Sequence, residues 1–191
     1  MKNFIESILY SLSLSIISGL FVVLTMLVSK IYFFDDIFFQ MSVPTVISIF
    51  LIPYMINRYH KIRYTCYISS RNIIVVLTSM CISFFVVYLV YNQANLVLLC
   101  FHFFLVAISE EYLYRGIIYF RLSEEIKSEI FVVLISSCIF AFFGHMGEPF
   151  YYNLIYRFPL GILFGFLRVK TGGITYPIIV HAFYNIIITI W

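Results

Sequence analysis

Charged residues are scarce in this sequence. Asp, Glu, Lys and Arg make up 11% of its 191 residues, whereas hydrophobic residues make up 63%. A soluble domain of this length needs a larger charged surface, so the composition excludes an ordinary water-soluble fold. The polar–apolar alternation of membrane-spanning strands is also absent, which argues against a β-barrel made of such strands.

Paired cysteines are the next absence. The four cysteines are scattered and none belongs to a CxxC pair, so we expect neither a cysteine zinc site nor a disulfide framework. We expect free thiols that behave as small apolar residues at Cys66, Cys81, Cys100 and Cys138. The HExxH motif of zinc peptidases is missing as well.

Long apolar runs recur from end to end of the chain. They predict an all-α fold, a polytopic transmembrane helical bundle of about seven spans (six to eight), within one membrane domain over residues 1–191. The spans are expected near residues 5–28, 38–56, 73–91, 96–120, 130–146, 154–169 and 174–191. The sixth is short and contains Arg157 and Pro159, so a tilted, broken or re-entrant segment is an alternative there.

The basic residues between the spans indicate an orientation. Alternating spans put one group on a single side of the membrane: Lys2, Arg58, Lys61, Arg63, Arg71, Arg121, Lys127, Arg168 and Lys170. The other side receives Lys30, Asp35, Asp36 and Glu148. The positive-inside rule therefore predicts a multi-pass protein of the cell membrane with a cytoplasmic N-terminus and with Trp191 outside. The first apolar run is too long for the core of a signal peptide, and we expect no cleavable one.

The fourth span contains three charged residues, Glu110, Glu111 and Arg115. A charge at the bilayer centre costs about 2.5 to 3.5 kcal/mol on insertion scales, so together they cost roughly 8 to 10 kcal/mol. We therefore expect them to face a protein or water-filled interior. Glu111 and Arg115 are four residues apart and can pair, whereas Glu110 is rotated from its neighbour by about 100°. A buried ion network that only ties helices together is the alternative.

Two later spans add histidines and an amide. His145 ends the fifth span, and the last span carries His181 and Asn185 four residues apart on one face. With two carboxylates, these groups supply a base, proton shuttles and donors to an oxyanion, which water-driven amide hydrolysis requires.

Three other titratable residues receive structural interpretations. We expect His60 and His102 to have no catalytic role, because neither has a defining neighbour. Glu148 follows His145 by three residues, but it lies near the outer boundary of the span and is interpreted as a loop carboxylate.

Two segments carry a resemblance to a known family. SEEYLYRG resembles the EExxxR motif of the CPBP family, the CAAX proteases and bacteriocin-processing enzymes also called Abi proteins. LGILFGFLRVKTGGITYPIIVHAFYN resembles that family's last motif region, with HxxxN at His181 and Asn185. The resemblance covers roughly residues 96–190 and implies a catalytic core over 96–191.

The family's middle motif, FxxxH, is altered in this chain. Ala141 stands four residues before His145, and Phe140 and Phe142 are the nearest aromatic residues. A shift of one residue turns the aromatic side chain by about 100° around an α-helix, so the resemblance does not define the packing against His145.

The resemblance also implies roles for individual residues. Glu110 and His145 would hold and deprotonate the attacking water, and His181 and Asn185 would stabilise the oxyanion. Glu111 and Arg115 would form a supporting ion pair. No cofactor is favoured. A zinc site formed by Glu110, His145 and His181 is the alternative.

The predicted function is an intramembrane endopeptidase. Its expected partners are the lipid bilayer and a peptide or membrane-associated protein substrate, with no nucleic acid. A composition rich in Ile, Phe, Tyr, Ser and Asn favours an AT-rich bacterial source, where bacteriocin-type processing or self-immunity fits the family better than prenylated substrates do. The alternatives are a non-catalytic membrane scaffold or immunity protein of the same fold, and a proton-coupled carrier.

Overall fold

The chain folds into a bundle of helices. The structure, a computed structural model, describes residues 2–32, 36–59, 70–91 and 93–190. Within these ranges there are seven helices and no strand: α1 (Lys2–Tyr32), α2 (37–59), α3 (Ser70–Tyr91), α4 (Ala94–Ser123), α5 (Glu129–Phe143), α6 (150–171) and α7 (Thr175–Ile190). The all-α membrane bundle is confirmed, and each predicted span overlaps one helix.

Several residues used in the sequence argument lie outside the described ranges. They are Asp35, His60, Lys61, Arg63, Cys66 and Trp191. The orientation deduced from the basic residues therefore stays a prediction. The three cysteines within the described ranges, Cys81, Cys100 and Cys138, are free thiols, as expected.

Four of the helices are long and apolar enough to cross a membrane by length and composition. These segments are Asn3–Tyr32, Phe38–Tyr59, Asn72–Tyr91 and Ala94–Ser123. The two helices α5 and α7 are apolar but shorter. On α3, large apolar side chains such as Phe85 and Leu89 are more than half exposed, at 64% and 63%. A soluble protein rarely exposes apolar surface on this scale, so these side chains suit contact with lipid.

Helix α1 turns small hydroxyl side chains inward. Their spacing of three or four residues places them in one stripe, which contains Ser7, Ser11, Ser15 and Ser18. Small residues allow membrane helices to approach closely, where lipid offers no hydrophobic force to bring them together. The Ser15 hydroxyl lies 3.0 Å from the Tyr114 hydroxyl of α4, so α1 is joined to the centre of the bundle.

Helix α4 is the central helix. All residues from 109 to 119 are buried, and α4 packs against α2, α3 and α7. Behind it, α5 and α6 approach closely because α6 presents glycines. A Cβ atom at Gly161 would lie 3.0 Å from Cβ of Ser137, and one at Gly165 would lie 2.7 Å from a Val133 methyl group. The polar residues of α4 are therefore enclosed on several sides by other helices.

Four helices contain a π-helical segment, in which backbone hydrogen bonds join residues that are five positions apart. The segments are Val46–Leu51, Tyr112–Ile118, Ile139–Phe143 and Asn153–Arg157. Such segments are rare and occur frequently at functional sites. Three of them adjoin polar residues that the sequence analysis singled out: one follows Glu111, one precedes His145 and one ends at Arg157. The segment Asn153–Arg157 also lets α6 continue into Pro159. In a regular α-helix the proline ring clashes with the carbonyl four residues earlier, and the wider π-helical turn relieves that clash.

Candidate active site

The ion pair predicted within α4 is present and fully buried. Nη1 of Arg115 lies 3.0 Å from Oε1 of Glu111, and both side chains are 0% exposed. The other guanidinium nitrogen, Nη2, donates to the carbonyl of Gly161 on α6 at 3.1 Å. The guanidinium also lies over the ring of Phe140, 4.4 Å from its centroid. Groups from α4, α5 and α6 therefore stabilise this cation, as a charge in an apolar interior requires.

His181 bridges the two adjacent glutamates. Its Nδ1 lies 2.8 Å from Oε1 of Glu111, and its Nε2 lies 3.7 Å from Oε2 of Glu110. An ionised carboxylate only accepts hydrogen bonds, so Nδ1–H donates to Glu111. The imidazole also stacks on the ring of Phe164, with the centroids 4.7 Å apart. Glu111 and Phe164 therefore hold the ring with Nε2 directed towards Glu110.

His145 lies just beyond the end of α5. Asn153 on α6 fixes its backbone, because the Asn153 amide donates to the His145 carbonyl at 2.8 Å. Nε2 of His145 faces Oε2 of Glu110 across 3.9 Å. Both atoms are buried, and neither has a hydrogen-bond partner among the described residues. This separation is too long for a direct hydrogen bond and leaves two polar atoms directed at the same space.

The π-helical segment of α5 resolves the altered FxxxH motif. The Gly144 N–H donates to the carbonyl of Ile139, five residues earlier, at 3.0 Å. The wider turn brings Phe140, which stands five residues before His145, against the imidazole. The two rings are edge to face, with centroids 5.0 Å apart and an angle of 88°. The aromatic residue that supports His145 is therefore Phe140, and the wider turn compensates for the shift of one residue.

Gly144 is predicted to tolerate no side chain, whereas Gly147 in the same loop is predicted to tolerate one. A Cβ atom at Gly144 would overlap the Tyr114 hydroxyl and lie 2.6 Å from the carbonyl oxygen of Phe140, while one at Gly147 would meet nothing within 4 Å. We expect Gly144→Ala to destabilise the protein by about 1 to 3 kcal/mol through overpacking. Gly147→Ala is the matched control. Thermal unfolding of both variants in detergent measures this difference, and equal midpoints would contradict the close packing.

A cavity of about 380 Å³ opens beside Glu110 and His145. It lies between α1, α2, α4 and the loop after α5. Most of its walls are apolar, with contributions such as Leu20 and Met26 from α1 and Ile49 from α2. The side chains of Glu110 and His145 are 10% and 17% exposed, so both can be reached from this space. The cavity suits an apolar chain with a polar group to be held at one end.

Of the four residues expected to form the active site, three lie close together in the structure. Glu110, His145 and His181 meet through the contacts described above. Asn185 lies one turn beyond His181 on the same face of α7 and is buried, at 8% exposure. Among the described residues it makes no hydrogen bond, and it does not line the cavity. The structure thus places Asn185 near the site without a hydrogen bond to any of the other three.

The zinc site formed by Glu110, His145 and His181 stays an alternative to the metal-free interpretation. Among the described residues, no set of three or more His, Cys, Asp or Glu side chains is arranged to hold a metal ion. His181 has only Nε2 to offer a metal, because its Nδ1 is bonded to Glu111.

Among the described residues, neither the His102 nor the Glu148 side chain forms a hydrogen bond or ion pair with Glu110, His145 or His181. His102 joins α4 to α2, because its Nδ1 lies 2.9 Å from the Ser42 hydroxyl, and it lines a different cavity of about 510 Å³ near Asp36. Glu148 is exposed, and only its backbone N–H contacts His145, by donating to the carbonyl at 3.0 Å.

Two contributors to the site were not candidates from the sequence: Tyr114, which lines the cavity, and Phe164, which stacks on His181. Aromatic residues are abundant throughout this chain, so composition gives no reason to select these two. Phe140 was a candidate only as one of two neighbours of a misplaced motif position. Arg157 did stand out in the sequence, as a charge within an apolar span.

Comparison with known families gives a match to the half of the chain that carries these residues. A family model described as type II CAAX prenyl endopeptidase Rce1-like matches residues 92–187. This range contains α4, α5, α6 and most of α7. No curated protein and no solved structure matches the chain.

Proposed function

Since the chain belongs to the Rce1-like family of type II CAAX prenyl endopeptidases, we propose that it hydrolyses a peptide bond within the membrane by means of Glu110 and His145. The observation that carries this proposal is the pair of buried, unpartnered atoms that face each other, Oε2 of Glu110 and Nε2 of His145, 3.9 Å apart. A water oxygen about 2.8 Å from each atom would satisfy both.

The first chemical step is removal of a proton from that water. Glu110 accepts the proton as the water oxygen attacks the carbonyl carbon of the substrate, and His145 holds the water through its ring nitrogen. Glu110 then returns the proton to the leaving amine, which completes hydrolysis without a covalent enzyme intermediate. The apolar cavity beside both residues holds the substrate chain and keeps other water molecules away from the reacting groups.

The oxyanion that forms on the substrate carbonyl requires hydrogen-bond donors directed at its oxygen atom. His181 can donate from Nε2 only when its ring is protonated, because Nδ1–H is already committed to Glu111 at 2.8 Å. Asn185 is the second donor in this proposal, and its amide makes no other hydrogen bond to a described residue. Hydrogen-bond donors that are held in place before the reaction stabilise the negative charge of the transition state, and this is usually the largest single contribution to catalysis.

The biological role that we propose is bacteriocin-type peptide processing or self-immunity. The direct test is a panel of membrane-anchored peptides presented to the protein in liposomes, with the products identified by mass spectrometry. The panel contains a prenylated C-a-a-X peptide, the same peptide without the lipid, and a bacteriocin-type precursor. Cleavage of the precursor supports the processing role. If a folded protein cleaved no member of the panel, the alternative of a non-catalytic scaffold would replace the peptidase.

The cavity provides a further prediction, because Gly19 of α1 lines it and has open space around it. A Cβ atom at Gly19 would meet nothing within 4 Å, so a larger side chain there fills the cavity without straining the bundle. We expect Gly19→Leu to lower kcat/KM by about 10- to 100-fold through displaced substrate, while the thermal midpoint stays level or rises. Gly173→Leu, outside the cavity with equally open surroundings, is the control. Unchanged cleavage by Gly19→Leu would mean that substrate does not use this cavity.

A further inference from the structure

A second cavity, of about 510 Å³, lies at the end of the bundle where α2 and α4 begin, and we call it the vestibule. Two exposed polar residues stand at this end, Asp36 immediately before α2 and Asn95 in the first turn of α4. Deeper in the vestibule is His102, which is only 6% exposed. Its Nδ1 lies 2.9 Å from the Ser42 hydroxyl, and its Nε2 has no hydrogen-bond partner among the described residues. The vestibule therefore starts with polar groups and ends at a buried nitrogen that can still bind a water molecule.

The vestibule and the active-site cavity follow each other along the same two helix faces. Residues three or four positions apart share a face of a helix. On α4 these residues are Asn95, Leu99, His102, Val106, Glu110 and Tyr114, and on α2 they are Phe38, Met41, Thr45 and Ile49. The earlier members of each row line the vestibule, whereas the members from Val106 and Thr45 onwards line the active-site cavity. The Ser42–His102 hydrogen bond thus joins α2 to α4 where one cavity ends and the other begins.

Hydrolysis consumes one water molecule for each peptide bond, and Glu110 lies deep in the bundle. It is about 24 Å along the helix axis from the first residue of α4 and about 20 Å from the last. The wall that α1 gives to the active-site cavity includes Leu20 and Val23, which are 56% and 58% exposed. Exposed apolar side chains in the interior of a membrane-crossing helix suit contact with lipid. This side of the cavity therefore admits an apolar chain and supplies no water.

We propose that the vestibule is a water site and that the Ser42–His102 pair passes water from it to Glu110. The inference rests on the proposed peptidase function, which consumes that water. A water molecule inside a protein needs about two to four polar partners. The vestibule offers Asp36, Asn95 and His102, and the Thr45 hydroxyl lies beyond the pair in the active-site cavity. Substrate then arrives from the lipid side and water from the end of the bundle, so the two reactants do not compete for one path.

The first test detects water in the vestibule and requires no activity. A thiol reacts with a charged, membrane-impermeant methanethiosulfonate reagent as the thiolate, which apolar surroundings disfavour. Leu99→Cys lines the vestibule, whereas Val97→Cys, on another face of the same turn, does not, and both positions are partly buried. Each is made in a variant whose four native cysteines are replaced by Ala. In liposomes we expect Leu99→Cys to be labelled at least about 10-fold faster than Val97→Cys.

The second test measures kcat and KM for a membrane-anchored precursor peptide in liposomes. His102→Leu removes both ring nitrogens, and we expect kcat to fall about 10-fold while KM stays within about twofold, because the supply of water becomes limiting. His102→Gln, whose amide can bind both Ser42 and water, is expected to restore most of this loss. Ser83→Ala is the control, because it removes a buried hydroxyl that donates to the Ser79 carbonyl within α3 at 2.8 Å, and wild-type kcat is expected there.

The two tests separate this inference from the proposed function. Equal labelling of the two cysteine variants would overturn the vestibule as a water site, whatever the protein cleaves. The expected labelling without any cleavage by the wild type would overturn the peptidase function and, with it, the use of this water. Wild-type kcat in a folded His102→Leu protein would overturn passage through the pair. If His102→Leu does not fold, Ser42→Ala decides, since it removes the same hydrogen bond: we expect kcat to fall about threefold or more, and an unchanged kcat would overturn the inference.

Discussion

Replacement of Glu110 by Gln is expected to abolish peptide cleavage while the protein stays folded. Gln keeps the volume and part of the hydrogen-bonding capacity of Glu, but it cannot take a proton from water. Loss of a general base lowers the rate by about 10²- to 10⁴-fold. The fold should survive because Glu110 makes no hydrogen bond through Oε2 and lies beside a cavity. Turnover of a peptide in liposomes and the thermal midpoint in detergent are the two measurements.

Glu148→Gln is the matched control for this substitution, because it changes an exposed carboxylate in the loop that carries His145. It is expected to cleave at the wild-type rate. Undiminished cleavage by Glu110→Gln would show that Glu110 is not the base.

The same assay with an added chelator tests whether hydrolysis requires a divalent metal ion. Hydrolysis is expected to continue when divalent ions are removed. Activity that is lost on chelation and restored by added zinc would instead assign Glu110, His145 and His181 as ligands.

Replacement of Glu111 by Ala is expected to cost about 3 to 5 kcal/mol of folding stability, the usual loss when one partner of a buried ion pair is removed. Glu111 accepts hydrogen bonds from both Arg115 and His181 at 3.0 and 2.8 Å, and all three side chains are buried. Its removal leaves the guanidinium with the Gly161 carbonyl as its one hydrogen-bond acceptor among the described residues. For a chain of this size, the midpoint should fall by roughly 6 to 20 °C.

Two further variants define this effect. Glu110→Ala should lower the midpoint less, because Glu110 has only the longer contacts of 3.7 and 3.9 Å to the two imidazoles. Glu124→Ala, which breaks the exposed pair with Arg121, should change stability by no more than about 1 kcal/mol. An equal loss in the Glu110 and Glu111 variants would contradict the separation of a catalytic carboxylate from a structural one.

The α4 segment shows why local spacing predicted one part of this site so well. Glu111 and Arg115 are one helical turn apart, so their pairing follows from helix geometry alone, before any tertiary structure is known. The same reasoning put Glu110 on another face, and Glu110 does face His145, although His181 lies beside both glutamates. The seven helical runs were equally accessible, because apolar length is a local property of the sequence.

The rest of the site depends on contacts that no local pattern contains. His181 lies 70 residues after Glu111, and the hydrogen bond between them requires α7 to pack against α4. The placement of Phe140 depends on a π-helical segment, and the sequence has no clear signal for a change from four-residue to five-residue backbone bonding. Asn185 shows the reverse case: it shares a helix face with His181, as spacing predicted, yet it forms no hydrogen bond with Glu110.

The sharing of α4 charges among later helices has a consequence for biosynthesis. Arg115 donates to Gly161 on α6, and Glu111 accepts from His181 on α7, so both interhelical partners are translated after α4 itself. Until then α4 carries charges that make its entry into lipid unfavourable. Stable integration of α4 is therefore expected to depend on the arrival of α6 and α7, which supply these partners.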